Sequence, residues 1–101
     1  MASWSVYIVR CCDGSLYTGV SNDVSARVQR HNDGTGARYT RSRLPVKLVW
    51  RKGVTDKSAA LRLEAAMKKL SRPQKVALLL KASARRRAQR ARRLASSSAA
   101  R

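Results

Sequence analysis

The chain has 101 residues, with 23 lysines and arginines against five acidic side chains, and its formal net charge is +18. This length accommodates one small domain, and the excess of cations indicates a polyanionic partner, either nucleic acid or an anionic membrane surface. The longest apolar run, residues 76–80, is far too short to span a membrane. The N-terminal residues also lack the basic start and apolar stretch of a signal peptide, so we expect no membrane partner.

The first predicted elements form a hairpin. Trp4–Arg10 is rich in aromatic and β-branched residues, which favour a strand. Asp13-Gly14 is a turn signal, and residues 16–20 form the return strand. Cys11 and Cys12 are adjacent, so they cannot staple a loop, and with one histidine they do not supply the four ligands of a zinc site. We expect them to be reduced thiols in a cytoplasmic protein.

The length of the hairpin loop decides whether Tyr7 and Tyr17 share a face. A two-residue turn would put them on opposite faces, because side chains alternate along a strand. A three-residue loop, residues 12–14, places Tyr17 opposite Val9 and on the face of Tyr7. Such a loop favours glycine at its third place, where the chain has one. We therefore predict a bulged three-residue hairpin.

The rest of the chain alternates helices with one strand. Capping residues, apolar spacing and turn signals predict three helices, a long loop and a third strand. In chain order these are a helix over 24–32 capped by Asn22 or Asp23, a loop over 33–45, a strand over 46–50, a helix over 57–70 capped by Thr55 or Asp56, and a helix opened by the capping box of residues 71–74. The order ββαβαα predicts a small α+β domain.

The positive charge is densest toward the C-terminus. Residues 1–75 hold 15 basic and five acidic side chains, whereas residues 76–101 hold eight basic side chains and no acidic one. From Ala82 onward only Ala, Ser, Arg, Gln and Leu occur. We expect residues 1–83 to form the folded domain and residues 84–101 to form a basic low-complexity tail, either helical or disordered.

Five polar side chains have no evident structural purpose. Arg27 and His31 lie four residues apart on one helix face, Tyr7 and Tyr17 lie on the hairpin strands, and Glu64 lies in the middle of a helix. A phosphodiester nuclease needs these residue types, because it requires a metal ligand, a cation for the developing charge and a proton acceptor for the attacking water.

The inventory of carboxylates limits the metal count. The four aspartates are all expected in turns or caps, namely Asp13, Asp23, Asp33 and Asp56. Glu64 then remains as the only candidate ligand, and two-metal nucleases need several converging acids. We predict at most one divalent ion, Mg²⁺ or Mn²⁺, completed by water and substrate oxygens. The alternative for Glu64 is an ion pair with Lys68 one helical turn away.

Two tripeptides and three later residues resemble a known family. Ser5-Val6-Tyr7 and Tyr17-Thr18-Gly19 are similar to the paired motifs of the GIY-YIG endonucleases, and Arg27, His31 and Glu64 follow in the family's order. The ten-residue steps from the first tyrosine to the second, and from the second to the arginine, match the family's spacing. The likeness extends over most of residues 3–80 and is to small single-domain bacterial members. It implies a three-stranded antiparallel sheet flanked by helices.

The resemblance also implies an activity and residue roles. The activity is metal-dependent hydrolysis of DNA phosphodiester bonds in the cytoplasm, nucleoid-associated when bound, in repair or recombination and without a small-molecule cofactor. Tyr7 and Tyr17 would form the floor of the site, where one of them activates or positions the water. Arg27 would contact the scissile phosphate, His31 would assist proton transfer or hold a phosphate oxygen, and Glu64 would bind the metal.

The chain departs from the family pattern at two positions. Ser5 replaces the first glycine of the motif, and Val76 stands where many members carry a polar Asn, with Gln74 and Lys69 as the nearest substitutes. The second departure leaves an alternative open, in which the protein is a catalytically weak or inactive module that binds DNA or RNA. A ribosome- or RNA-associated basic protein is a third hypothesis. The oligomeric state is open.

Further cations are expected to contact phosphates without reading base edges. In the domain these are Arg38, Arg41, Arg43, Lys47, Lys68 and Lys69, and in the tail they are Arg85, Arg86 and Arg87.

Overall fold

The structure is a computed structural model that describes residues 3–99, with the side chains of residues 3–95. Its elements in chain order are β1 (Trp4–Arg10), β2 (Leu16–Ser21), α1 (Val24–Asn32), α2 (Arg38–Arg41), β3 (Lys47–Val54), α3 (Lys57–Lys68) and α4 (Arg72–Ala99). The predicted α+β class is confirmed, and the predicted tail is helical as far as residue 99. Residues 1–2 of the first predicted domain and residues 100–101 of the predicted tail lie outside the described part of the chain.

The three strands form one antiparallel sheet in the order β2-β1-β3. The predicted hairpin register is confirmed, because Val9 pairs with Tyr17. The Cys11 amide donates to the Ser15 carbonyl at 2.9 Å, which closes a three-residue loop. Gly14 occupies the third place with φ +85°, in the left-handed region that glycine adopts without steric cost. Tyr7 and Tyr17 therefore lie on the same face of the sheet.

That face carries the apolar core between the sheet and α1. The buried cluster contains Tyr7, Val9, Cys11, Val24 and Val46, with partly buried Tyr17, Val28, Leu44 and Leu48 packed against it. On the opposite face of β1, Val6 and Ile8 are also fully buried. Helix α3 packs against all three strands and buries Ala60 and Met67, so it covers this second face. Both cysteines are free thiols as expected, Cys11 buried and Cys12 exposed.

The region after α1 differs from the predicted loop and short strand. A short helix, α2, forms inside the predicted loop because the Ala37 carbonyl accepts bonds from the amides of Thr40 and Arg41. Strand β3 extends to Val54, since pairing with the whole of β1 satisfies its backbone groups as far as the Trp4–Val54 pair. Neither the hydrogen bonds of α2 nor the pairing of β3 with β1 can be recognised from the spacing of residues in the sequence.

The aspartates and the capping box occupy their predicted places. Asp23 caps α1 by accepting a bond from the Ala26 amide, and Asp56 caps α3 by accepting one from the Ala59 amide. At the start of α4 the Ser71 amide donates to Gln74 Oε1 at 2.8 Å. The Gln74 amide returns a bond to Ser71 Oγ at 3.3 Å, which completes the box. Predicted turn and cap chemistry therefore accounts for these polar groups.

The chain divides into two compact units, one ending at Leu70 and the other beginning at Ser71. The second unit contains α4, which continues without a break across residues 83 and 84. No helix among the described residues combines the length and apolar character that crossing a membrane requires.

Candidate active site

Tyr7 occupies the centre of the candidate site. It projects from the central strand, is 1% exposed, and its ring crosses Gly19 on the neighbouring strand. A Cβ atom at residue 19 would come within 2.5 Å of both the Cζ and the hydroxyl of Tyr7. Glycine is therefore needed at the end of Tyr17-Thr18-Gly19, because it leaves room for the first tyrosine to lie against the backbone of the edge strand.

His31 lies buried beside this ring. A hydrogen bond of 2.8 Å joins its Nε2 to the Tyr7 hydroxyl, and another of 2.8 Å joins its Nδ1 to Thr40 Oγ1. Gly36 packs directly on the imidazole, where an added Cβ would lie 2.5 Å from Nδ1. Both ring nitrogens are thus satisfied, as buried polar groups require. His31 is fully buried on α1.

Tyr17 connects this buried pair to the protein surface. Its ring meets the imidazole of His31 edge-on with centroids 5.4 Å apart, and it stacks on Tyr39 with centroids 5.9 Å apart. Arg43 lies over the outer side of Tyr39, with its guanidinium carbon 4.0 Å from the ring centroid. Arg43 Nε also forms an ion pair with Asp13 Oδ2 at 3.1 Å. The aromatic row is held at its outer end by an arginine that the sequence suggested for phosphate contact.

Arg27 on α1 and Glu64 on α3 both influence the ionisation of Tyr7. Burial raises the pKa of Tyr7 above its ordinary value of 10.0, and the guanidinium of Arg27 opposes the rise. The charges of Tyr17 and Glu64 add smaller upward effects on the same pKa. The pKa of the Tyr7 hydroxyl therefore depends on three neighbouring side chains, those of Arg27, Tyr17 and Glu64.

Burial of His31 has a consequence for stability. Desolvation, and then the nearby charge of Arg27, lower the pKa of His31 below 6.5. Below pH 6.5 the imidazole is protonated in the unfolded chain but stays neutral in the folded chain. Protonation therefore favours the unfolded state, and the free energy of unfolding is expected to fall as pH drops below 6.5. The lowered pKa of Asp13 has its main effect below its ordinary value of 3.8, so the change in stability between pH 7 and pH 4 reports chiefly on the histidine.

The matched control for that prediction is His31→Gln, measured over the same interval. The protein has a single histidine, so this variant should lose the decline in stability between pH 7 and pH 4. An unfolding free energy that stays level in the wild type would contradict the burial argument.

Glu64 is half-buried, with 21% of its side chain exposed, and its Oε2 lies 3.6 Å from Lys68 Nζ. The ion pair that the sequence offered as an alternative role is therefore formed. Such a pair at a partly exposed site contributes little, of the order of 0–1 kcal/mol. The ion pair is therefore a minor contribution to stability.

The donor set at Glu64 suits one kind of metal ion. The described residues contain no group of three or more His, Cys, Asp or Glu side chains that could enclose an ion. Asp13 is engaged by Ser15 and Arg43, and the other aspartates with bonded side chains cap helices. Mg²⁺ and similar hard cations are commonly held by one or two carboxylates, several waters and substrate phosphates. Glu64 fits an ion of that kind and does not fit a closed structural site.

The predicted phosphate-contacting residues are spread over both units. Arg38 and Arg41 are exposed on α2, Lys47 is exposed at the start of β3, and Lys68 and Lys69 are exposed at the end of α3. Arg85, Arg86 and Arg87 are exposed on α4, in the second unit. Gln74, one substitute considered for the missing Asn, is engaged in the capping box.

Reasoning from the sequence missed three residues that support the site. Thr40 and Gly36 contact the imidazole of His31, as described above. Asn32 accepts from the Val46 amide at 2.7 Å and donates to the Val46 carbonyl at 3.1 Å, which ties the end of α1 to the start of β3. For Thr40 and Gly36 the sequence offered one indication, the short segment of residues 36–40, which combines a glycine, an arginine, a tyrosine and a threonine.

Comparisons with known proteins agree with this architecture. A sequence model described as the GIY-YIG catalytic domain matches residues 3–77. A UPF0213 protein of Staphylococcus epidermidis is 53% identical over 74 residues, covering 73% of this chain and 90% of that protein. A UPF0213 protein of Staphylococcus aureus is 51% identical over 79 residues, covering 78% and 96%.

Two solution structures are similar in fold and sequence. A UPF0213 protein of Bacillus halodurans has 44% identity and a TM-score of 0.50, with 76% of this chain and 82% of that chain covered. Protein EF2693 of E. faecalis has 38% identity and a TM-score of 0.55, with 80% and 86% covered. The family match, the high identity to these relatives and the sheet that carries both tyrosines lead to one conclusion: the chain belongs to the GIY-YIG family.

Proposed function

We propose that this protein is a DNA endonuclease that hydrolyses phosphodiester bonds with the help of one divalent ion, Mg²⁺ or Mn²⁺. The observation that carries the proposal is the buried 2.8 Å hydrogen bond between the Tyr7 hydroxyl and His31 Nε2. The charges of Arg27 and Glu64 both act on the pKa of the same phenol. A phenol with a proton acceptor, a guanidinium and a carboxylate are the groups that hydrolysis of a phosphodiester uses.

Each side chain has a role in the proposed reaction. Tyr7 accepts a proton from the attacking water while its own phenolic proton passes to His31. Water oxygen bonds to phosphorus, and one P–O ester bond breaks to leave a phosphomonoester and an alkoxide. The alkoxide takes a proton from solvent to become the alcohol, and His31 releases the proton it received to solvent. The guanidinium of Arg27 stabilises the negative charge that builds on the phosphate oxygens. Tyr17, which meets His31 edge-on and stacks on Tyr39, orients the water and closes the floor of the site.

Glu64 is the residue that would hold the divalent ion, which when bound supplies charge stabilisation to the phosphate. Its single carboxylate leaves the remaining positions of such an ion to water and substrate oxygens. Weak affinity for the ion without DNA follows from this small donor set.

The exposed cations supply the affinity for DNA in this proposal. We assign the nuclease domain to residues 1–83 and a DNA-contacting basic extension to residues 84–101. The exposed arginines and lysines of α2, β3, α3 and α4 neutralise phosphates without reading sequence. We place the reaction in the bacterial cytoplasm, on the nucleoid, in repair or recombination, in keeping with the family's implied setting.

The arginine cluster of α4 should control the salt dependence of binding. Replacing Arg85, Arg86 and Arg87 together with Gln is expected to make the slope of log K against log salt shallower by about 2 to 3, because each phosphate contact on duplex DNA contributes about 0.9. Binding of labelled duplex at several salt concentrations measures the slope. The matched control is the triple Lys variant, which keeps the charge and should keep the slope. An unchanged slope in the Gln variant would remove these residues from the interface.

The proposal is tested by cleavage of branched, single-stranded and duplex DNA by the full chain, with Mg²⁺, with Mn²⁺ and with chelator. Nicking that requires the metal supports the proposal.

A second candidate function is a nucleic-acid-binding module without catalysis. The presence of Val76 where the family carries Asn favours it. Tight binding of DNA or RNA with no cleavage under any metal would establish that second function, and competition between RNA and DNA would then identify the ligand.

A further inference from the structure

Thr40 stands directly behind the histidine of the site. Its side chain is fully buried on α2, and its Oγ1 lies 2.8 Å from His31 Nδ1 and 2.9 Å from the Ala37 carbonyl oxygen. A hydroxyl group has one proton to donate. A carbonyl oxygen only accepts, so the proton of Thr40 lies on the bond to Ala37. Oγ1 must then accept in its bond to the imidazole.

This assignment determines the protonation of the neutral imidazole. A nitrogen that donates to Thr40 must carry hydrogen, so Nδ1 is the protonated nitrogen and Nε2 is the bare one. At Nε2 the Tyr7 hydroxyl is then the donor, across 2.8 Å. The Ala37 amide also points at Nδ1, but at 3.4 Å that contact exceeds the usual hydrogen-bond range of about 2.7–3.2 Å. The shorter bond to Thr40 therefore decides the tautomer.

We propose that Thr40 is a positioning residue that fixes the tautomer of His31, so that Nε2 stays free to receive the phenolic proton of Tyr7. In the opposite tautomer, Nε2–H would donate to the phenolic oxygen and the imidazole could not take that proton. The chain of donors then runs in one direction, from Tyr7 through His31 and Thr40 to the Ala37 carbonyl. This inference rests on the proposed hydrolytic role of Tyr7 and names the group that orients it.

The local backbone supports the same arrangement. Gly36 lies so close to the imidazole that a Cβ atom there would come 2.5 Å from Nδ1. The Ala37 carbonyl also accepts the amides of Thr40 and Arg41 at 3.2 Å, which holds it in place as the last acceptor. Gly36 and Thr40 thus back the imidazole on the side of Nδ1, whereas the Tyr7 hydroxyl lies at Nε2.

Nuclear magnetic resonance of the full chain tests the proposal without any cleavage assay. The protein has one histidine, so the two ring nitrogens give unambiguous signals in a long-range proton–nitrogen correlation spectrum. The expected result for the wild type is a neutral ring with hydrogen on Nδ1. Hydrogen on Nε2 would overturn the proposal, whatever the protein does to DNA.

Variants at residue 40 complete the test. Thr40→Val keeps the shape and removes the hydroxyl, so hydrogen should redistribute toward Nε2 as Nδ1 becomes an acceptor for the Ala37 amide. Thr40→Ser restores the hydroxyl and should restore the wild-type tautomer. If cleavage is observed, Thr40→Val is expected to lower kcat by about 10- to 100-fold with little change in KM. A Val variant that folds with Nδ1 fully protonated would overturn the proposal, and absence of cleavage in the wild type would contradict only the proposed function.

Discussion

Glu64→Gln is expected to lower metal-dependent cleavage by about 1,000-fold or more. Metal assistance in phosphoryl chemistry contributes several kcal/mol, and about 1.4 kcal/mol corresponds to each factor of ten in rate. The substitution keeps the shape of the side chain and removes its charge, so it removes the only carboxylate among the side chains that influence the pKa of Tyr7. Initial rates of nicking at increasing Mg²⁺ concentration measure the effect.

The ion pair of Glu64 provides a matched control. Lys68→Gln breaks the same 3.6 Å pair from the other side and leaves the carboxylate in place. It should change stability by no more than about 1 kcal/mol and retain metal-dependent cleavage. DNA affinity should be weaker, because the proposed phosphate contact of Lys68 is lost. Equal loss of cleavage in both variants would mean that the ion pair, and not metal binding, is what the reaction needs.

DNA affinity separates the two roles of Glu64 further. Removing a negative charge near the bound phosphate should leave binding without metal unchanged or tighter in Glu64→Gln. Loss of binding along with cleavage would indicate a folding defect, which thermal denaturation of the variant would show directly.

Tyr7→Phe is expected to lower cleavage by about 100- to 10,000-fold, the range that a positioned acid–base group contributes. The same change should lower the free energy of unfolding by about 1–3 kcal/mol, because it leaves His31 Nε2 buried without a partner. Single-turnover cleavage and chemical denaturation measure the two effects. Restoration of activity by raising the pH would not be expected, since the variant has no phenol to ionise.

Tyr17→Phe is the comparison that assigns the water-activating tyrosine. Tyr17 is half-buried, and its described contacts are ring contacts with His31 and Tyr39, which phenylalanine preserves. We expect its stability to change by less than about 0.5 kcal/mol and its cleavage rate to fall less than that of Tyr7→Phe. A larger loss in Tyr17→Phe would transfer the role of proton acceptor to the second tyrosine.

Much of the local structure of this protein could be predicted from the sequence. The hairpin register followed from strand alternation and from one glycine that tolerates a positive φ, and the structure confirms it at the Val9–Tyr17 pair. The caps at Asp23 and Asp56 and the box opening α4 were also recognisable. These features depend on interactions between residues a few positions apart. Their energetics are therefore similar in many folds.

Other features could not be read in this way. The extension of β3 depends on its pairing with β1, some forty residues earlier in the chain. Arg43 looked like any other cation in a basic loop, yet it pairs with Asp13 and lies over Tyr39. Such contacts join segments that are far apart in sequence, and no local pattern specifies which distant group a side chain will meet.

The sequence by itself determined the α+β class, the shared face of the two tyrosines and the order of the five candidate residues, because these follow from side-chain alternation, helix periodicity and spacing. Only the tertiary structure decided that Tyr7 and His31 share a buried hydrogen bond and that Thr40 lies behind the ring. The physical reason is that burial and hydrogen-bond direction depend on how separate elements pack. The net charge of +18 indicates a polyanion, whereas the site's chemistry depends on a few side chains that packing removed from water.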